Sequence, residues 1–175
     1  NVTSSNNIAN VLTSAGEKTT DKTVNNYVSA LVDAYLYYPV ARFDIKGKDL
    51  LRTKPKYYSV DTGIRSYLLG YRQLDTGRIF ENIVFLQLLF DGYGIHVGKL
   101  YNKEVDFVAL RDGRTIYIQV ANELFSETTR ERELSPLRSI RDAYEKCVIV
   151  RQGLYPIDIE GIRIIPAKDF FLGRV

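Results

Sequence analysis

Three features of the sequence predict an α/β (α+β) fold in which an N-terminal winged helix precedes a mixed sheet flanked by helices. Two helical segments lead into a hairpin with a basic tip. A long apolar helix then precedes three closely spaced strand candidates, and a charged helix separates these from two more. Helices and strands in that order imply layers around a mixed sheet. The expected units are residues 1–73, winged-helix-like, and residues 74–175, α/β.

The first unit opens with a short amphipathic stretch, Ile8, Ala9, Val11 and Leu12, ended by Gly16. A second helix starts at Thr20-Asp21, either of which can cap it, and runs through Val24, Tyr27, Val28, Leu31, Val32, Tyr35 and Leu36. Those apolar positions recur at helical spacing and predict one buried face. Tyr38 to Asp44 alternates like a strand, Lys46-Gly47-Lys48 signals a turn, and Lys56 to Val60 reads as the return strand. Asp61 to Gln73 is a connector with a turn at 61–65 and a short helix at 66–69.

In the second unit the apolar helix runs from Arg78 to the stop signal Asp91-Gly92. Strands are predicted at 94–100, 105–110 and 115–121, the last two joined across Asp112-Gly113. A charged helix from Thr128 to Tyr144 and strands at 147–151 and 162–165 follow. The return from the third strand through this helix to the fourth is a natural parallel crossover. There is no internal repeat and no low-complexity segment.

Composition narrows the function classes. The chain has 175 residues, 13 Tyr, 8 Phe, one Cys and no Met. The absence of methionine leads us to expect a piece of a longer protein. Cys147, alone in an apolar run, has no partner for a disulfide and reads as a buried structural thiol. No apolar run reaches the ~20 residues that span a bilayer, so no membrane partner is expected and the cytoplasm is the expected compartment. Net charge is only +3, but Arg42 to Lys56 holds six basic residues against two acidic ones. If DNA is bound, Lys22, Asn25 and Asn26 on the second helix and Lys46, Lys48, Arg52 and Lys54 on the hairpin are the expected contacts.

The residues with the most chemistry are Glu81 on a helix, Asp106 on a strand, and Gln119 on the next strand. Metal-dependent nucleases present carboxylates to a divalent cation in this order. Alternation in Glu104-Val105-Asp106-Phe107 places Glu104 and Asp106 on one face and Val105 and Phe107 on the other. Asp106, Glu104 and Gln119 are therefore the candidate metal ligands, and Mg²⁺ is the cation such oxygens suit. Ala121, which shares the face of Gln119, offers no charge.

Gly77-Arg78-Ile79-Phe80-Glu81-Asn82, Gly98-Lys99, Glu104 to Val108 and Tyr117 to Val120 resemble motifs of a prokaryotic family of AAA-type, or DEXX-box, P-loop ATPases. Thr23 to Tyr27, Lys46-Gly47-Lys48 and Lys56 to Asp61 are similar to the same family's linker and winged-helix region. The resemblance implies a domain of unknown function placed after the ATPase module, with a fold like that of PD-(D/E)XK nucleases. It implies that Glu81, Asp106 and Gln119 stand at the catalytic positions of a degenerate site and that Ala121 stands where the lysine belongs. Lys99 or Lys103 would have to take over that charge. No GxxxxGK[ST] occurs in the sequence, so ATP is expected only in the ATPase module and no other cofactor is expected here. The expected partners are that module and DNA, with self-association open. The implied role is an accessory region without nuclease activity of its own. The alternatives are an active Mg²⁺-dependent DNA endonuclease and a module that only binds other proteins.

Overall fold

A computed structural model of the protein describes residues 4–70 and 76–174. The expected boundary at 73/74, and the last residues of the connector, lie outside the described residues. Helices α1 (Ser5–Ser14) and α2 (Asp21–Asp33) pack on each other, and α2 touches the next strand. Ser4 and Thr20 cap them by accepting from Asn7 N at 3.1 Å and Thr23 N at 3.2 Å. The apolar face of α2 departs from expectation. Val24 is buried, but Tyr27 and Leu31, and Tyr35 and Leu36 just beyond its end, are exposed; the main contacts of this helix among the described residues are with α1 and β1.

Strands β1 (Tyr37–Asp44) and β2 (Asp49–Ser59) form the hairpin. β2 starts seven residues before the expected return strand and runs through Pro55. Two conditions permit this: β2 is an edge strand, and the pairing with β1 breaks register between Val40 and Arg42. The hairpin does not stand apart from the rest of the chain. β1 pairs in parallel with the first strand of the second unit, β3, and Ile45 N donates to Lys99 O at 3.0 Å. Helix α3 (Thr62–Leu69), capped by Asp61, begins within the expected turn.

Helix α4 (Thr76–Phe90) ends at Gly92, whose φ of 80° supplies the left-handed cap. Strands β3 (Gly94–Leu100), β4 (Lys103–Arg111) and β5 (Arg114–Ala121) make the antiparallel meander. Asp112 and Gly113, at φ 51° and 76°, close its second turn, which needs positive φ at both central residues. Helix α5 (Glu127–Arg138) is shorter than expected. Pro136 removes one internal donor near its end, and the Asp142 carboxylate then holds a turn by accepting from Tyr144 N. Strands β6 (Glu145–Val150), β7 (Asp158–Ile159) and β8 (Ile162–Pro166) and helix α6 (Ala167–Phe171) complete the chain.

Among the described residues the sheet has eight strands in the order β2-β1-β3-β4-β5-β6-β8-β7, with β1–β3, β5–β6 and β6–β8 parallel. Two cores flank it. Val84, Phe85 and Leu88 of α4 pack with Tyr58, Phe107 and Ile118 on one face. Leu134 and Leu137 of α5 pack with Val105, Val108, Tyr117 and Ala121 on the other. Cys147 is buried on the α4 side, where loss of solvation pushes its thiol up to about 12. No helix among the described residues is long and apolar enough to cross a membrane.

Candidate functional site

A bulge in β4 sets the geometry of the acidic residues. His96 faces Val108 and Gly98 faces Val105, so Asp106 and Phe107 together oppose Val97. The extra residue cancels the expected alternation. Val105 and Val108 both face α5, whereas Phe107 joins the core beneath α4. Glu104, Asp106 and Phe107 thus share the α4 side. Gly98 sits opposite the bulge because a Cβ there would lie 2.9–3.0 Å from Ile45, Val105 and Val108.

Glu81 projects from α4 toward the same place, where the hairpin meets it. The Tyr58 hydroxyl donates to Glu81 Oε1 at 2.6 Å, and Lys56 Nζ lies 2.8 Å from the same oxygen. Lys56 also reaches Glu104 Oε1 at 3.1 Å, and Arg42, buried under the hairpin, holds Glu104 Oε2 at 2.5 Å. Asn82 binds the strand backbone twice, accepting from Ser59 N and donating to Ser59 O, each at 2.8 Å. Two segments far apart in sequence, Lys56-Tyr57-Tyr58-Ser59 and Glu81-Asn82, therefore interlock.

Each charge reflects this packing. Burial works against the Lys56 ammonium, but the Glu81 carboxylate, then Asp106 and Glu104, outweigh it and raise its pKa. Burial likewise opposes the Glu104 charge, yet the Arg42 hydrogen bond and Lys56 bring its pKa below the usual carboxylate range. Asp106 goes the other way. Burial first, and then the neighbouring Glu81 charge, push its pKa well up against the opposing pull of Lys56 and of Val120 N, which donates to Asp106 Oδ2 at 2.8 Å. Burial and Glu81 also raise the Tyr58 phenol.

Gln119 belongs to the opposite face. Its Nε2 donates to Glu133 Oε2 of α5 at 3.1 Å, and its Oε1 accepts from Asp106 N at 3.4 Å. A cleft of about 410 Å³ lies beside Gln119, lined by Lys103, Arg132 and Glu133 and also by Glu104. Ala121 is buried beneath α5. Glu81, Glu104 and Asp106 are thus brought together, and Gln119 and Ala121 are not part of that group. The set does not suit Mg²⁺ as it stands. Protein donors already engage Glu81, Glu104 and one oxygen of Asp106, and among the described residues no three His, Cys, Asp or Glu side chains form a group able to hold a metal ion.

Sequence reasoning missed the charge that reaches the acids. It is Lys56, from the hairpin, and not Lys103, which turns to Ser135 Oγ and Ser139 Oγ at 2.6 and 2.8 Å. The signal available was the alternation Lys54, Lys56, Tyr58, which puts Lys56 and Tyr58 on one face of a strand. Of the expected nucleic-acid contacts, Lys22, Asn25, Asn26, Lys46, Lys48, Arg52 and Lys54 are all exposed. Asn25 accepts from the Ser5 hydroxyl, and Lys48 lies 3.9 Å from Asp142.

The comparisons with known proteins divide along the two halves of the chain. Residues 1–75 fit the model described as Domain of unknown function (DUF8612), and residues 76–170 fit Domain of unknown function (DUF4143). An "Uncharacterized protein" of Haemophilus influenzae is 38% identical over 165 residues, 94% of this chain and 40% of the relative. "Uncharacterized protein MJ1544" of Methanocaldococcus jannaschii is 34% identical over 145 residues, 81% of this chain and 30% of that protein. The chain thus spans less than half the length of these relatives. No solved structure matches it. With more than half its length fitting one family model, and Glu81, Asn82, Glu104 and Asp106 inside that fit, the chain belongs to the family described as Domain of unknown function (DUF4143).

Proposed function

We propose that this chain is an accessory region of an AAA-type ATPase, in which a winged-helix unit and a PD-(D/E)XK-like core serve binding and not phosphodiester cleavage. One observation carries the reading: two of the three acids that a nuclease would present to a cation, Glu81 and Glu104, are paired from within by Lys56 and Arg42. The fold resemblance is supported by the meander, the α5 crossover and the parallel β5–β6 pair. The greater length of the relatives leaves room for an ATPase module elsewhere in such proteins.

A plasmid-nicking assay with Mg²⁺ and Mn²⁺ tests the loss of cleavage. Wild type and Asp106→Asn are expected to give the same background, and cleavage that the substitution abolishes would overturn the reading. The association with an ATPase is tested on the full-length gene product, where an upstream GxxxxGK[ST] and ATP hydrolysis are expected.

Two further readings each have an observation in their favour. An active Mg²⁺-dependent endonuclease is favoured by Lys56 standing beside Glu81 and Glu104, in the charge role Ala121 cannot fill. Under it, Lys56→Ala abolishes nicking. A module that only binds other proteins is favoured by the exposed Tyr27, Leu31 and Tyr35. Under it, neither single-stranded nor duplex DNA binds at low salt.

A further inference from the structure

Helix α5 packs mainly on β4, β5 and β6. Val97 points to the α4 core, so its neighbour His96 points to the α5 side, where it stacks on Phe43 with ring centroids 6.0 Å apart and an interplanar angle of 20°. Burial lowers the pKa of His96. Both rings are half-buried.

Two exposed tyrosines flank the hairpin tip, each with a lysine over its ring. Lys48 Nζ lies 4.6 Å from the Tyr144 centroid, and Lys46 Nζ lies 5.1 Å from that of Tyr101. Tyr101 is 69% exposed and Tyr144 42% exposed. Their positions are fixed by the fold. Tyr101 occupies a left-handed turn position at φ 53°, and Tyr144 is held by its N–H to Asp142, which also accepts from the Tyr117 hydroxyl at 2.7 Å.

Three cations, Lys46, Lys48 and Arg52, stand at the hairpin with three carboxylates, Asp44, Asp49 and Asp142, so it is the two ammonium groups over the rings, and not a net positive charge, that offer themselves to a phosphate. Lys46 and Arg52 are exposed and form no ion pair among the described residues, while Lys48 reaches only the edge of Asp142. The two acids at the tip each spend an oxygen on the backbone, Asp44 on Lys46 N and Asp49 on Leu50 N. Exposed aromatic faces next to lysines and an arginine are what successive bases and phosphates of one strand require. A duplex, by contrast, hides its base faces.

We infer that the hairpin tip binds single-stranded nucleic acid, with bases stacking on Tyr101 and Tyr144 and phosphates meeting Lys46, Lys48 and Arg52. The inference rests on reading the basic hairpin as a nucleic-acid contact of the accessory region. It moves that contact from the α2 helix and duplex grooves to aromatic side chains outside both.

The test is fluorescence anisotropy of a labelled oligothymidylate of about a dozen residues, titrated with the protein at low salt. Saturable binding is expected. Tyr101→Ala/Tyr144→Ala should weaken it about tenfold or more, and Tyr101→Phe/Tyr144→Phe should retain it, because stacking needs the ring and not the hydroxyl. Lys46→Ala/Lys48→Ala should weaken binding and flatten its salt dependence. Melting followed by circular dichroism checks that each variant is folded. The proposal is overturned by any of four results: no saturable binding, an abasic strand that binds as tightly, a duplex of equal length that binds more tightly, or a polyglutamate that competes equally well. A missing P-loop in the full-length product would remove the ATPase reading and leave this result unaffected.

Discussion

At the scale of single residues, Asp106 and Glu104 lie two positions apart, yet their carboxyls are held in opposite directions. Glu104 is lowered below the usual carboxylate range, so its contribution is present above the unfolded value and is lost as pH falls through the folded one. Asp106 is raised, so stability is retained at acid pH and lost as pH climbs from the unfolded value through the folded one. Two substitutions should therefore show opposite pH dependence in urea denaturation. Asp106→Asn keeps an acceptor for Val120 N and should stabilise the protein near neutral pH, with the gain vanishing in acid. Glu104→Gln weakens the contacts to Arg42 and Lys56 and should cost about 1–3 kcal/mol near neutral pH, a loss that shrinks as the medium is acidified. Glu81, Glu104 and Asp106 were legible as a group from residue type and order alone. The partner Lys56 was not, because a lysine in a basic hairpin carries no mark of the acids it meets across the fold.

Elements were legible where a period or a turn signal governed them. The meander, its Asp112-Gly113 turn and the apolar α4 arise from alternation, positive φ and helical spacing. The bulge at Asp106-Phe107 was invisible because one added residue leaves composition unchanged and only inverts the facing of the residues beyond it. β7 and α6 are too short to show a period, and the early end of α5 depends on where the Asp142 carboxylate finds its partners. The joint between β2 and α4 provides a direct measurement at this scale. Asn82→Ala leaves Ser59 N–H and C=O without their side-chain partners and should cost about 1–3 kcal/mol. Hydrogen exchange should then speed up along β2 more than along β5, since β2 is an edge strand whose backbone ladder runs to β1 on one side alone.

For the whole molecule, the two family models meet at residues 75 and 76, but the sheet and the ion pairs run across that line. Residues 76–175 alone should therefore lose cooperative thermal unfolding, since β3 would become an open edge and Glu81 and Glu104 would lose Lys56 and Arg42. A sharp transition matching that of the intact chain would refute this. The facing of β5 has a consequence for the proposed nuclease-like reading as well. Ala121→Lys would supply the lysine that the resemblance puts at this position, but its ammonium would enter the apolar layer under α5, on the far side of the sheet from Glu81. It should cost on the order of 3–5 kcal/mol and recover no cleavage, as denaturation and nicking assays can check. On the proposed reading, with Gln119 held by Glu133 and Lys56 set among the acids, no single substitution at position 121 restores a cutting site.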